Sequence, residues 1–228
     1  MGKIIEEYEL RNKLFVFRNR KHAGKVLAEM LSKYNIKNAI VLAIPSGGVP
    51  IGYEISKALK IPFGLAIVKK IPIPHNPEAG YGAVAWNGEI TLNKSLVKYL
   101  GLADEEIKED IKNIKALIRK RIEKFGFDFF TLRIKDKSVI IVDDGLASGI
   151  TMLTTIKAIK RYSPRKIIVA IPTASKGSLR MISPHADEIY CLNIRESYPF
   201  AVAEAYQEWH DLTDDEVVET LNMLRKQV

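Results

Sequence analysis

Two adjacent carboxylates, Asp143 and Asp144, follow four apolar residues, 139–142, whose composition predicts a buried strand. A loop with two glycines, Gly145 and Gly149, then leads into a segment with a helical pattern. A strand–loop–helix turn of this kind directs backbone N–H groups and the positive end of a helix at one point, where phosphate binds. The carboxylates instead accept hydrogen bonds from vicinal hydroxyl groups or lie near hydrated Mg²⁺. The stretch therefore predicts a site for a sugar phosphate with free hydroxyl groups.

Residues 139–151 resemble the 5-phosphoribosyl-1-pyrophosphate (PRPP) signature of type I phosphoribosyltransferases. In that signature an apolar strand and two acidic residues precede a small-residue loop ending in Thr-Gly-Gly-Thr or a near variant, and here the ending is Ser148-Gly149-Ile150-Thr151. The resemblance extends from about Arg18 to the last helix and is closest to a branch with an Asp-Asp-Gly-Leu-Ala-Ser/Thr-Gly loop. It implies that Asp143 and Asp144 orient the ribose and act in catalysis. It also assigns the 5-phosphate of PRPP to Gly145, Leu146, Ala147, Ser148, Gly149, Ile150 and Thr151.

Two other interpretations of this stretch are an acidic strand end that only caps a helix, and the Walker B carboxylate of a P-loop ATPase. The sequence has no Gly-x-x-x-x-Gly-Lys-Ser/Thr, so the ATPase interpretation lacks its phosphate loop. It has no Gly-x-Gly-x-x-Gly either, and a dinucleotide-binding fold is left without its fingerprint.

A second strand–loop–helix turn follows the apolar strand at residues 39–44. Its loop contains Ser46, Gly47 and Gly48, and the paired glycines allow the backbone N–H groups to surround an anion. A plain tight turn is the alternative interpretation. The family resemblance implies that this loop binds pyrophosphate, although similar relatives carry Arg where this chain has Ser46. Either Ser46 substitutes by hydrogen bonding, or the affinity for pyrophosphate is reduced.

The next apolar strand, residues 63–68, is followed by Lys69 and Lys70. In the family the end of this strand borders the pyrophosphate site, so either lysine could supply the missing charge. The alternative is that both are exposed at a strand end.

Strands that alternate with helices predict an α/β fold with a doubly wound, mostly parallel sheet, formed by a single domain over residues 1–228. Ligands of such sheets bind beyond the carboxyl ends of the strands. Residues 71–82 contain three prolines and two glycines and are predicted to be irregular. The resemblance implies a mobile loop and hairpin over 70–92 that closes over PRPP, and a C-terminal hood over 193–228. In that hood Tyr198 and Phe200 are candidates to stack on an acceptor.

Further local patterns complete the prediction. A long helix is expected from Asp104, as its N-cap, to Phe125, and its cluster Arg119-Lys120-Arg121 is interpreted as a solvated face. A strand over 167–171 is expected to stop at Pro172. Tyr206 and Trp209 are interpreted as packing against the sheet, and the sequence from Thr213 to Glu216 as a capping box.

Composition bounds the function further. The chain has 228 residues, 47% of them apolar, and a formal net charge of +8. The lysines are spread along the chain, so a nucleic-acid surface is compatible with the charge but has no specific support. The single cysteine, Cys191, excludes an internal disulfide, and the four histidines lack metal-ligand spacing. No apolar run reaches the length of a membrane span, and a cytoplasmic protein without membrane partners is expected.

The resemblance implies transfer of the 5-phosphoribosyl group from PRPP to a nitrogenous acceptor such as a nucleobase, with release of pyrophosphate. Mg²⁺ is expected, held mainly by PRPP and water near Asp143 and Asp144, and a homo-oligomer is usual in the family. Ala147 stands where 6-oxopurine enzymes typically carry Asp, which argues against hypoxanthine or guanine as the acceptor. Two alternatives remain: a PRPP-sensing regulator that binds RNA or DNA without catalysis, and a degenerate protein of the same fold.

Overall fold

A computed structural model of the chain describes residues 2–74, 76–126 and 133–225. Its centre is a six-stranded sheet in which every neighbouring pair of strands is parallel. The strands in spatial order are β1 (Lys3–Glu6), β9 (Glu188–Arg195), β8 (Lys166–Ser175), β7 (Ser138–Val142), β2 (Ala39–Ala43) and β3 (Phe63–Leu65). The predicted α/β fold with a mostly parallel, doubly wound sheet is confirmed.

Helices cover both faces of this sheet. The helices are α1 (Arg20–Ser32), α2 (Gly48–Leu59), α3 (Lys94–Leu100), α4 (Asp104–Phe125), α5 (Ile150–Lys160), α6 (Lys176–Ile182) and α7 (Asp214–Arg225). Alternate residues of the strands point to opposite faces, so Val41 and Ile140 pack with α1 and α2, while Leu42 and Ile141 pack with α5 and α6. The apolar runs of the strands are thus explained by burial on both sides.

The order of the strands reverses between β2 and β7. From β2 the chain crosses to β3 on one side, whereas from β7 it proceeds through β8 to β9 on the other. Ala43 lies opposite Val142 in the register, so the two strands end side by side. The crevice beyond this reversal is where sheets of this kind bind ligands, and both predicted phosphate loops begin there.

A small antiparallel sheet of β4 (Val68–Ile73), β5 (Asn76–Ala85) and β6 (Ile90–Leu92) stands beside the main sheet. The hairpin predicted within residues 70–92 is confirmed by the antiparallel pairing of β5 with β6, and Asn87 and Gly88 lie between these strands. The prediction that residues 71–82 are irregular is wrong, because residues 71–73 lie in β4 and residues 76–82 lie in β5, while His75 is outside the described residues. Pro72 is accommodated since β4 is an edge strand and its register shifts at that residue.

Strand boundaries near the site also differ from the prediction. Residues 63–68 form two elements, since β3 ends at Leu65 and β4 begins at Val68, so Lys69 and Lys70 lie inside β4. The strand expected to stop at Pro172 continues to Ser175. Its pairing with β9 skips Pro172, and β7 has already ended opposite Ala170, so the ladder does not need the missing N–H.

Two further boundaries are corrected at the ends of elements. Helix α4 begins at Asp104, and its N-cap is Ala103, because the Glu106 carboxylate accepts the Ala103 N–H at 2.8 Å. Strand β1 was not predicted. Its four residues include two exposed ones at the edge of the sheet, so the strand lacks a regular apolar pattern.

Helix α7 begins with the predicted capping box, which is confirmed. The Glu216 carboxylate accepts the Thr213 N–H at 2.9 Å, and the Glu216 N–H donates to the Thr213 hydroxyl at 3.3 Å. Glu216 also lies 2.8 Å from the His210 ring. The backbone N–H of Thr213, followed by the contacts from His210 and the Thr213 hydroxyl, lowers the pKa of Glu216 from 4.5 to about 2. Helix α7 packs on α4 with Val217 and Leu221 inward.

We expect the Glu216→Gln substitution to lower the melting temperature at neutral pH. The folded-state pKa of Glu216 lies below its unfolded value, so the stabilisation is complete above about pH 4.5 and is lost as the pH falls towards about 2. Melting temperatures of the wild type and variant, followed by circular dichroism, should therefore converge over that interval. Glu219→Gln, an exposed position of the same helix, is the control, and a constant gap between wild type and Glu216→Gln at all pH values would contradict the assignment.

Candidate active site

The carboxylates of Asp143 and Asp144 lie at the carboxyl end of β7, inside the crevice. The Asp144 N–H donates to Asp143 Oδ1 at 2.9 Å. Burial and the neighbouring charge of Asp144 raise the pKa of Asp143 well above its usual range. Burial also raises the pKa of Asp144, although the positive charge of Arg20 opposes this change. A ligand that donates hydrogen bonds or brings positive charge would therefore stabilise the pair.

Arg20, the first residue of α1, forms an ion pair with Asp144. Its Nε donates to Asp144 Oδ2 at 2.9 Å, and its Nη1 donates to the His210 carbonyl at 2.9 Å. The guanidinium carbon lies 3.8 Å from the centre of the Trp209 ring, a cation–π contact, and the Tyr206 hydroxyl donates to the Asp144 carbonyl at 2.7 Å. The predicted packing of Tyr206 and Trp209 is confirmed by their contacts with the core. Arg20 was missed by the sequence analysis.

The predicted phosphate loop connects β7 to α5. Gly149 has φ of +78°, a left-handed conformation that turns the chain into the helix. Leu146 anchors the loop, because its N–H donates to the Thr173 carbonyl and its carbonyl accepts the Ser175 N–H, both at 3.0 Å. Within the described residues, the N–H groups of Ala147 and Ser148 have no acceptor. These free N–H groups and the start of α5 form a cradle for an anion.

The glycine loop after β2 lies against the carboxylates. A Cβ atom on Gly47 would be 1.9 Å from Asp144 Oδ2, and one on Gly48 would be 2.5 Å from the Val142 carbonyl oxygen. The Gly48 N–H donates to the Ile44 carbonyl at 3.0 Å, and this bond closes the turn into α2. The peptide bond between Pro45 and Ser46 is cis. The structure therefore brings the two predicted phosphate loops together around the carboxylate pair.

A group of charged side chains borders the glycine loop. Arg121 from α4 donates from Nη2 to the Ser46 hydroxyl at 2.8 Å and from Nε to Asp214 Oδ1 at 3.0 Å. Lys69 is half-buried, and its pKa is lowered by burial and by the charge of Arg121. The solvated face predicted for residues 119–121 is wrong for Arg121, whose side chain is 17% exposed, but correct for the exposed Arg119 and Lys120.

Tyr198 and Phe200 occupy different environments. The Tyr198 side chain is 96% exposed, whereas the Phe200 ring is partly buried and lies 5.9 Å from the guanidinium carbon of Arg195. Arg195 ends β9 and bonds Ser197 and Glu204 through Nη2, each at 3.2 Å. Its Nε and Nη1 are buried without a partner among the described residues. Sequence analysis gave no signal for Arg195.

The carboxylate pair fits Mg²⁺ bound mainly by a ligand. Over residues 2–74, 76–126 and 133–225, no group of three His, Cys, Asp or Glu side chains could hold a metal ion. Two adjacent carboxylates without a third protein ligand suit Mg²⁺, which keeps several waters and binds phosphate oxygens.

In the same part of the chain, no helix is both long enough and apolar enough to cross a membrane.

The close contact of the two loops predicts different effects of two neighbouring substitutions. In Gly47→Ala the new methyl group meets a carboxylate that can rotate, so the fold should persist while the pair of Asp144 with Arg20 is broken. In Gly48→Ala it meets the backbone of β7, which is fixed by the sheet, and we expect a loss of about 1–3 kcal/mol in the free energy of unfolding. Urea unfolding measures both effects.

Gly177→Ala is the control, because a Cβ atom there is 3.9 Å from its nearest recorded neighbour. If Gly48→Ala unfolded at the same urea concentration as Gly177→Ala, the proposed close approach of the loop to β7 would be wrong.

Comparison with known proteins places this site in a family. The profile of the phosphoribosyl transferase domain matches residues 103–209. Proteins MT0597 and Rv0571c, from two strains of Mycobacterium tuberculosis and provisionally named as phosphoribosyl transferases, are 31% identical over 209 residues. That match covers 91% of this chain and 46% of theirs, so the chain spans about half the length of these curated relatives.

Solved structures agree on the fold. TT1426 from Thermus thermophilus is 30% identical with a TM-score of 0.73, and the match covers 90% of this chain and 97% of that one. AQ2163 from Aquifex aeolicus, at 15% identity and a TM-score of 0.51 over 79% of this chain and 77% of that one, shows similarity of fold alone. With its signature loop, its sheet order and these matches, the chain contains a phosphoribosyl transferase domain with the type I phosphoribosyltransferase fold.

Proposed function

We propose that the protein is a phosphoribosyltransferase, a pentosyl-transferring enzyme that moves the 5-phosphoribosyl group of PRPP to a nitrogenous acceptor. The supporting observation is the convergence of a carboxylate pair and two N–H-lined loops at the β2–β7 crevice. PRPP carries a monophosphate, two ring hydroxyls and a pyrophosphate, and each part has a chemically suitable partner there. Few other metabolites require all three partners at once.

The monophosphate is assigned to the loop before α5. The free N–H groups of Ala147 and Ser148 and the N-terminus of α5 provide hydrogen bonds and favourable charge. Ser148 and Thr151 belong to the same turn, and their hydroxyl groups are further donors for the monophosphate. The backbone of the turn is formed with Gly145, Leu146, Gly149 and Ile150.

The ribose is assigned to Asp143 and Asp144. Their carboxylates accept hydrogen bonds from the vicinal hydroxyl groups and lower the energy of positive charge that develops on the ring. When bound, Mg²⁺ would neutralise charge on the pyrophosphate, with Asp143 and Asp144 the nearest protein groups that fit it.

Pyrophosphate is assigned to Ser46, Gly47 and Gly48, with Lys69 and Lys70 as neighbouring cations. In the reaction the bond from ribose C1 to the pyrophosphate oxygen breaks, and the acceptor nitrogen forms a bond to C1 with its own electron pair. The leaving oxygen takes the electrons of the broken bond. Positioning in the crevice accounts for the catalysis, so a covalent enzyme nucleophile is not required.

The acceptor is assigned to the side of the crevice formed by the end of β9 and the turn after it. Phe200 offers a flat ring, and Arg195 offers two buried donors that lack partners in the described residues. An acceptor with both a ring and an oxygen atom would satisfy both groups. Tyr198, the other residue predicted to contact the acceptor, is 96% exposed and stays a prediction.

We also propose that residues 1–228 form one domain and that the loop and hairpin over 70–92 close over PRPP. A homo-oligomer and a cytoplasmic location are part of the same proposal. Family resemblance supports each of these points. Because the curated relatives are about twice as long as the matched region, the acceptor and partners of the whole protein are part of the same proposal.

Calorimetry with PRPP and Mg²⁺, followed by assays of pyrophosphate release across a panel of nucleobases and other nitrogenous acceptors, tests the function. We expect binding of PRPP and release of pyrophosphate with one acceptor class. Binding without release on any acceptor would favour a PRPP-sensing regulator, and an absence of binding would contradict the proposal.

Two asparagine substitutions should separate stability from binding. The raised pKa of Asp143 means that its charge destabilises the fold as the pH rises through the usual carboxylate range, so Asp143→Asn should raise the melting temperature at pH 7. Asp144→Asn removes a charge whose pKa is also raised, but it leaves the buried Arg20 without its charge partner, so its melting temperature should lie below that of Asp143→Asn. Both should weaken PRPP binding by about tenfold or more, since charge-assisted hydrogen bonds to ribose are lost.

Asp211→Asn, which removes one exposed carboxylate, is the control for charge alone. Unchanged PRPP affinity in both Asp143→Asn and Asp144→Asn would exclude these residues from the ribose site.

A further inference from the structure

Arg121 lies near the C-terminal end of α4, the longest helix among the described residues, and is far along the chain from the glycine loop that it contacts. Its separation from Ser46 is 75 residues, yet Nη2 lies 2.8 Å from the Ser46 hydroxyl. The guanidinium lies 5.6 Å from the centre of the Phe125 ring, and Asp214 at the start of α7 accepts from both Nε and Nη2. The side chain is thus held on three sides with one end at the loop.

The charges at this place do not balance. Ser46, Gly47 and Gly48 carry no charge. Arg121, Lys69, Lys70 and Asp214 are neighbours of one another beside this loop, while Asp144 lies against Gly47 and is paired with Arg20. Burial and the charge of Arg121 both disfavour the charge of Lys69. Because Arg20 compensates Asp144, Asp214 faces three cations in the first group, and an anion with several negative charges would compensate the excess.

A purely structural ion pair between α4 and α7 would explain the contact with Asp214 but not the contact with Ser46. A planar guanidinium has five N–H donors in a fixed fork, a geometry that binds phosphate oxygens in pairs. Lys69, by comparison, is a single ammonium charge on a flexible chain. Within the described residues Asp214 accepts from Nε and Nη2 and Ser46 accepts from Nη2, which leaves Nη1 for a phosphate oxygen. The guanidinium therefore adds charged, directional donors to the neutral N–H groups of the glycine loop.

We propose that Arg121 binds the pyrophosphate group of PRPP, supplying from α4 the charge that the Ser46 loop itself lacks. This inference rests on the proposed function, because it assigns a further residue to the same site. Asp214 balances part of the Arg121 charge and fixes the orientation of the guanidinium. The site is consequently built from the loop after β2, strand β4 and helix α4.

The test is calorimetry of the full chain with two separate probes, Mg²⁺–pyrophosphate and ribose 5-phosphate. Arg121→Met keeps the length and apolar contacts of the side chain but removes the guanidinium. We expect it to reduce the affinity for pyrophosphate by about tenfold or more while the affinity for ribose 5-phosphate changes by less than about twofold. Arg119→Met removes the same charge from the exposed face of the same helix and should leave both affinities unchanged.

A charge-relocation variant distinguishes binding from a structural role. In the double variant Ser46→Arg with Arg121→Met, the guanidinium is returned to the site from the loop side, and most of the pyrophosphate affinity should be recovered. Thermal unfolding of every variant shows that the fold is retained.

The outcomes separate the two proposals. If wild-type protein binds both probes and Arg121→Met binds pyrophosphate as tightly, Arg121 is not a ligand and the proposed function is unaffected. If Arg121→Met loses both probes equally and the double variant recovers neither, the residue is structural and the inference is overturned. If wild-type protein binds neither probe, the proposed function and this inference both fail.

Discussion

The site depends on how closely two loops approach at the reversal of the sheet. Strands β2 and β7 end in register, and the glycine loop after β2 lies directly against the carboxylates after β7. At Gly47 and Gly48 there is no room for a side chain, since a Cβ atom would meet Asp144 or the β7 backbone. A sugar whose two ends carry phosphates can only bridge these loops if they are this close. Under the proposed function, the absence of two side chains therefore allows one sugar phosphate to reach both loops.

This closeness has an electrostatic cost that the surroundings partly offset. Two neighbouring carboxylates share a poorly solvated position, and both have raised pKa values. Arg20 compensates the charge of Asp144 and is itself fixed by Trp209 and the His210 carbonyl. The C-terminal segment therefore stabilises Asp144 indirectly, through Arg20. Among the described residues no cation forms an ion pair with Asp143, which remains the less favourable charge. An unfavourable buried charge in a crevice is typical of a group whose partner arrives with the ligand.

The sequence predicted the parts of the site that are local in the chain. The strand, loop and helix around Asp143 and Asp144 were predicted correctly, because each of these features is encoded within a few neighbouring residues. The prolines of 71–82 misled the prediction because a free strand edge tolerates proline, and a free edge is a property of the sheet. Arg20 and Arg121 were missed for the same kind of reason. Their partners lie 124 and 75 residues away, and on a helical pattern both resemble ordinary surface cations.

The position of Arg121 also changes what the C-terminal region does. A cation carried by the glycine loop would be present whenever that loop is folded. A cation carried by α4 reaches the loop only when α4 is packed against β4 and α7, and its orientation is set by Asp214 at the first turn of α7. The capping box at Thr213 and Glu216 fixes that first turn. Under the proposed assignment, binding of pyrophosphate would be coupled to the docking of α7. The segment that contacts Arg20, the partner of Asp144, continues into the helix that orients Arg121.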